Sequence, residues 1–561
     1  MKNSMFSTRS MHTDVLVIGG GLAGCSAAIR ARELGPSVIL VDKGHVRRSG
    51  NATSGVDHTW CYLPEFHDPL GFTPRQLVED HIAKLGPMQD QDMILTIAEN
   101  IGDRIKELES WGFPFKTDGT YRFVKKIHRV PSFMHWAGRD QKVMFEKKAR
   151  ECGTDILNRV MIVDLLKDNG KVVGAWGIGL REPVIYVISA KIVVIATGGI
   201  SRVFPAATCL DFNRQRHPFG TGDGIAMGIR AGAEVVRMEF FTRWAGLHHF
   251  CKAGRGTWIG VVEDSAGNAL SGKKATSTRT QIDSAVESYG DIINAYRAGR
   301  GPMYMSCLNT SKEDFDYMCW ALSNEGNQIL LQQFKECGLD PMKTRIEYSA
   351  YEPEITGGYA PTVQGETNIP GLLAAGGEVV GSMKRSVSPG SYVFGKLVGE
   401  HAAILAKNED NADMSIFSDL IAFQKDRLTC MRERTQGASW QEASGACQDI
   451  MSHYCCEYKY EDLLDAGLEQ LARVRRRAEL TLAAANQHEL GRCLEAFNLM
   501  DIAEAALRTS KERKETRLDR YDPFKRVDYD TENPDMAKFL LYSIADGKPN
   551  FRWRAPHTLD D

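Results

Sequence analysis

Residues 14–24 read Asp-Val-Leu-Val-Ile-Gly-Gly-Gly-Leu-Ala-Gly, and no other stretch limits the fold of this chain so tightly. An apolar run of strand length enters a turn carrying Gly19, Gly21 and Gly24 in the spacing GxGxxG, and a helix of small residues over 25–34 leaves it. By itself GxGxxG matches many unrelated loops. Between a buried strand and such a helix it marks a dinucleotide-binding unit. Gly19 allows the tight turn, Gly21 lets a pyrophosphate approach the backbone, and Gly24 lets helix and strand pack closely, so that the anion rests on the helix N-terminus. A second apolar strand over 37–41 ends at Asp42, where a carboxylate accepts hydrogen bonds from an adenosine ribose. Lys43 follows it as a further cofactor-binding candidate.

A chain of 561 residues has room for several domains and for a cofactor enclosed between them. Its 69 Lys and Arg nearly balance 72 Asp and Glu, leaving a net charge of -3. That balance supplies no general attraction for nucleic acid or an anionic membrane, so a small-molecule substrate is expected. No apolar run approaches the roughly 20 residues of a membrane span, and the polar segment 1–12 lacks a signal-peptide core, which points to the cytoplasm. Thirteen scattered cysteines with no CxxC spacing suit reduced thiols, not a disulfide framework. No metal site is expected, and an iron-sulfur relay would lie on another polypeptide.

The nucleotide-binding pattern returns in pieces. Residues 191–199, Lys-Ile-Val-Val-Ile-Ala-Thr-Gly-Gly, form another buried strand and small-residue turn, preceded by paired strands over 159–166 and 171–180. Gly220-Thr-Gly-Asp223-Gly leads into a helix over 225–233, and Ile-Pro-Gly-Leu-Leu-Ala-Ala-Gly-Gly at 369–377 precedes Glu378 and a helix over 391–406. Residues 236–355, richer in aromatic, His and Arg side chains, read as an insertion. Helical periodicity follows, clearest over 463–504. The Arg473–Arg477 run reads as a solvated or partner-facing helix surface, and the charged segment 508–561 as an irregular tail. The expected organisation is a nucleotide-binding domain over 1–235 and 356–407, a cap over 236–355, a helical domain over 408–507 and the tail.

In this order the segments resemble the succinate dehydrogenase/fumarate reductase flavoprotein family, and within it the adenylylsulfate reductase α-subunit type. Segments 14–24, 48–55, 193–199, 221–233, 301–305, 369–378 and Arg513-Lys-Glu-Thr-Arg517 carry the resemblance. It implies an α/β fold: a split Rossmann-like FAD domain, an inserted α+β cap and a helical C-terminal domain. Gly19, Gly21, Gly24 and Asp42 match the adenosine and pyrophosphate site. Ser49, Gly50 and Gly55 match the loop beside the flavin, Thr197, Gly198 and Asp223 later flavin turns, Glu378 the acid on the ribityl chain, and Ser391 a helix N-terminus near the isoalloxazine. Relatives with covalent flavin carry a His after Arg-Ser; here Gly50 follows Arg48-Ser49, which implies noncovalent FAD.

On the substrate side the resemblance assigns Arg255 as proton donor, Arg385 as a carboxylate-binding residue, and Arg243, His248 and His249 to the active-site lining. The reaction implied is hydride exchange between flavin and a small acid-like substrate, with electrons relayed to or from an iron-sulfur subunit. Two departures stand out. The substrate His expected before Gly357-Gly358 is missing, and Glu352 and Glu354 stand there instead, which points to a substrate that is less anionic or carries a hydrogen-bond donor. The Cys-rich stretch of adenylylsulfate reductases is also missing. The competing readings are sulfur chemistry through the flavin and a flavin subunit that only transfers electrons.

Overall fold

The computed structural model describes residues 5–247, 256–270, 289–519 and 521–560. Strand β1 (Ser7–Ile18) is central to a seven-stranded sheet, because its last four residues, Val15 to Ile18, are apolar and covered on both faces. Helix α1 (Leu22–Glu33) follows, then strand β2 (Val38–Asp42). The sheet order is Asp155–Asn158, β2, β1, Val184–Ile195, Lys171–Gly179 and Val160–Asp168. The first four run parallel, the last two antiparallel. After the insertion the chain returns as Leu372–Ala374, parallel to Val184–Ile195. Helix Val387–Ala406 then lies directly on α1, an approach only glycine permits: a Cβ at Gly399 would stand 2.3 Å from the Ala27 carbonyl oxygen.

The inserted segment builds its own four-stranded antiparallel sheet, ordered Ala245–Leu247, Ile346–Ala350, Tyr304–Ser306 and Val261–Glu263. Helices Lys312–Asn324 and Gln328–Glu336 close a separate core around Trp258, Met305, Met318, Leu322 and Tyr348. The cap meets the flavin-loop side at Asp57, a fully buried carboxylate that accepts from the Thr257 hydroxyl at 3.1 Å and pairs with the His58 ring at 2.5 Å.

Segment 508–561 departs from the irregular tail expected. Helix Gln487–Glu512 runs into it, and Phe539–Ala545 pairs with Lys548–Arg554 as a hairpin. Its turn, Asp546-Gly547, has φ of 49° and 71°, the left-handed pair that an Asp-Gly hairpin turn requires. Val235–Val236 joins the hairpin to Gly358–Tyr359 in one four-stranded sheet, tying the C-terminus to both ends of the cap.

The C-terminal helices dock through charge as well as packing. Glu495 is buried between Lys43 (2.8 Å), Arg202 (2.9 Å) and Arg492 (2.6 Å). Burial pushes its pKa up, but Lys43, Arg492 and Arg202 outweigh that and bring it down to about 2, from 4.5. The unfolded chain therefore binds the proton first. The resulting stabilisation, about 3 kcal/mol, is full above pH 4.5 and disappears as pH falls toward 2. Urea unfolding should show the wild type's advantage over Glu495→Gln shrinking across that window; an advantage independent of pH would contradict this origin. Each described cysteine is a free thiol. No described helix is long and apolar enough to cross a membrane.

Candidate active site

One cavity of about 950 Å³ opens where the three nucleotide-domain fragments and the cap converge. It lies at the upper end of the range for ligand sites. Gly19, Gly21, Asp42, Lys43, Ser49, Gly50, Gly55, Thr197, Gly198, Asp223, Glu378, Arg385 and Ser391 all line it, so thirteen of the residues expected from sequence meet at one place. Gly24 sits behind the wall: a Cβ there would be 1.8 Å from the Gly19 carbonyl oxygen, and Gly19 itself has φ of 104°. Gly21 caps α1 without any side-chain hydrogen bond, and the first helical bond is Cys25 N–H to Gly21 carbonyl. The first N–H groups of α1 are thus left for an anion. The Thr197 hydroxyl, buried and without a protein partner, is a further polar atom suited to a ligand. This donor set fits a dinucleotide.

The polar side chains divide into those that face the cavity and those that brace it. Asp42 accepts from Gly20 N–H (2.7 Å), Gly44 N–H (2.6 Å) and the Ser49 hydroxyl (2.8 Å), so it shapes the turn as well as edging the cavity. Lys43 is a correction to direct cofactor contact. Its three donors go to Thr221 (2.7 Å), Asp223 (2.6 Å) and Glu495 (2.8 Å), leaving none for a ligand. Asp223 is likewise a brace, accepting also from Thr221 (2.6 Å) and Asn498 (2.9 Å). Ser391 is not at a helix N-terminus: the helix starts at Val387, and the Ser391 hydroxyl donates to the Val387 carbonyl at 2.6 Å.

Glu378 accepts from Asn51 at 2.6 Å and pairs with Arg216 at 3.0 Å. Arg216, which no local pattern singles out, joins the two halves of the cavity, because it also grips Glu354 through two bonds of 2.8 and 3.0 Å. Burial opposes its charge, yet Glu354 and Glu378 outweigh that and raise its pKa. Glu354 is therefore ion-paired, and Glu352 accepts from the Ala207 and Gln215 N–H groups, both at 3.1 Å, as a brace of the 207–215 loop. Neither glutamate presents the free repulsive charge expected from sequence.

Trp244 stands in the substrate half. Its indole N–H donates to Glu354 at 2.9 Å, and its ring faces the Arg385 guanidinium at 4.3 Å. Tyr521 lies 4.7 Å from the same guanidinium. Arg243 is brought elsewhere: it pairs with Glu457 and donates to the Tyr351 carbonyl at 2.7 Å, off the cavity. Thr242 and Trp244 both line the cavity, and successive side chains of an extended segment alternate in direction, so residue 243 must point away. That alternation was the available signal. His248, His249 and Arg255 lie outside the described residues.

Arg385 adopts φ of 53°, unusual for a residue with a side chain. Its backbone is clamped on both sides: Trp60 donates its indole N–H to the Arg385 carbonyl at 3.1 Å, and the His81 Nε2 meets the Lys384 carbonyl at 3.0 Å. Lys384 also lines the cavity, where burial, with Arg237 adding to it, lowers its pKa to about 7 against the pull of Asp519. Trp60→Phe keeps a ring but leaves the clamp undone. It is expected to lower unfolding free energy by about 1–2 kcal/mol with FAD content unchanged, read by chemical denaturation and flavin absorbance; an unchanged midpoint would show the clamp contributes nothing.

Residues 14–251 match the FAD binding domain model, and residues 445–555 the fumarate reductase flavoprotein C-terminal model. The chain belongs to the fumarate reductase/succinate dehydrogenase flavoprotein family. It is an FAD-dependent oxidoreductase. Among curated members of this flavoprotein family, it is 23% identical to the fumarate reductase flavoprotein subunit of Serratia sp., covering 96% of this chain and 92% of that protein. It is 25% identical to the 8-methylmenaquinol:fumarate reductase flavoprotein subunit of Wolinella succinogenes, covering 96% and 90%. The solved adenylylsulfate reductase of Archaeoglobus fulgidus shares the fold at TM-score 0.84 and 23% identity, over 100% of this chain and 98% of that one. The E. coli quinol fumarate reductase does so at 0.82 and 20%, over 98% and 97%.

Proposed function

We propose that this flavoprotein exchanges hydride with a small acid-like substrate held by Arg385, and passes electrons to or from an iron-sulfur partner subunit. The observation that carries the reading is Arg385, whose backbone is clamped and whose guanidinium lies against the Trp244 and Tyr521 rings in the same cavity as the dinucleotide turn. Noncovalently bound FAD supplies the hydride acceptor or donor. Arg385 offers two parallel N–H donors to a carboxylate, and the aromatic rings beside it limit its motion and shield the carboxylate from water. Proton transfer is assigned to Arg255 from the segment it opens.

The names of several relatives, flavoprotein subunits of fumarate reductases, support a multi-subunit assembly. The free thiols agree with a reducing cytoplasm. The experiment is anaerobic. The holoprotein is reduced with dithionite, then mixed with fumarate and other small unsaturated acids; reoxidation by one of them supports hydride transfer. Bleaching of the oxidised flavin by sulfite, with no reaction toward the acids, would favour adenylylsulfate-reductase-type chemistry instead.

A further inference from the structure

The glycine turn rests on a buried lysine that lies outside every motif. Lys142, in helix Gln141–Glu151, is 0% exposed. Its ammonium donates to the Gly20 carbonyl and lies 3.4 Å from the Cys25 sulfur, and it forms no ion pair among the described residues. The nearby acids are committed elsewhere. Asp42 serves Gly20 N–H, Gly44 N–H and Ser49, while Glu146, one turn along the same helix, pairs with Arg150 at 2.5 Å. A buried ammonium without a counter-charge is strongly unfavourable unless something else brings the negative charge.

The position of Lys142 says what that is. Its contact, together with the Ser49 hydroxyl and Cys25 thiol at 3.5 Å each, holds the Gly20 carbonyl oxygen toward the protein interior. Carbonyl and following N–H point opposite ways across a trans peptide, so the Gly21 N–H is turned toward the cavity that Gly21 lines. We propose that Lys142 is the buried counter-charge for the diphosphate of FAD: it fixes the Gly20–Gly21 peptide and adds a full positive charge to the positive end of α1. The inference rests on FAD binding and not on the substrate or reaction proposed above.

The test uses full-length protein stripped of flavin, as wild type, Lys142→Met and Lys142→Gln. Flavin-fluorescence quenching gives the FAD dissociation constant, and thermal unfolding gives Tm of each apoprotein. Both variants are expected to bind FAD about 10- to 100-fold more weakly, with apoprotein Tm unchanged or raised because an uncompensated buried charge has gone. Affinity for riboflavin, which lacks the diphosphate, should stay at the wild-type value. Wild-type FAD affinity in Lys142→Gln would overturn the charge role. An equal loss of FAD and riboflavin affinity, a lowered apoprotein Tm, or failure of both variants to fold would assign Lys142 to the scaffold and overturn the proposal.

Discussion

Gly21→Ala is expected to fold with the wild-type apoprotein Tm and to bind FAD at least about 100-fold more weakly. A Cβ at Gly21 would meet no protein atom nearer than the Ala196 carbonyl oxygen at 3.9 Å, and the residue's φ of -69° suits alanine. The methyl group therefore strains nothing in the protein. It stands on the cavity wall at the helix N-terminus, where a diphosphate must reach the backbone N–H groups. Gly24→Ala should behave differently, losing both stability and flavin, because its Cβ would lie 1.8 Å from the Gly19 carbonyl oxygen and 3.0 Å from its carbon, atoms that cannot give way without opening the turn. Flavin absorbance and thermal unfolding of the two variants side by side separate ligand space from packing space. Full flavin content in Gly21→Ala would show that the diphosphate does not lie against this turn.

The second large effect concerns Arg385. Arg385→Met keeps a long apolar side chain against Trp244 and Tyr521 and removes the guanidinium. Reoxidation of the reduced flavin by an acid substrate is expected to slow by about 100-fold or more at low substrate, with FAD content at the wild-type level. Asp42 and Asp223 brace the cofactor half without any contact to Arg385, so flavin binding should survive the substitution.

The cofactor half was legible because a dinucleotide site is made of backbone. Gly19, Gly21, Gly24 and the turns at Gly198 and Glu378 announce themselves by local spacing, and all but the packing glycine Gly24 line one cavity. Side-chain roles set by distant partners were not legible. Lys43 has the position of a ligand group, but Glu495, 452 residues away in sequence, takes its charge. Arg216, which pairs with both Glu354 and Glu378, has no neighbours in sequence that mark it. Trp244 and Arg243 could have been ordered correctly from the alternation of an extended segment, and the C-terminal hairpin from Asp546-Gly547 after the apolar run Phe539–Ala545. In both cases the signal is local.

The most direct measurement is anaerobic stopped-flow reoxidation of the dithionite-reduced holoprotein by small unsaturated carboxylic acids, comparing wild type with Arg385→Met. Hydride transfer to an acid held by Arg385 predicts fast, saturable reoxidation of the wild type by at least one such acid and a rate reduced by about 100-fold in the variant. A reduced flavin that persists with every acid, or equal rates in the two proteins, would contradict it.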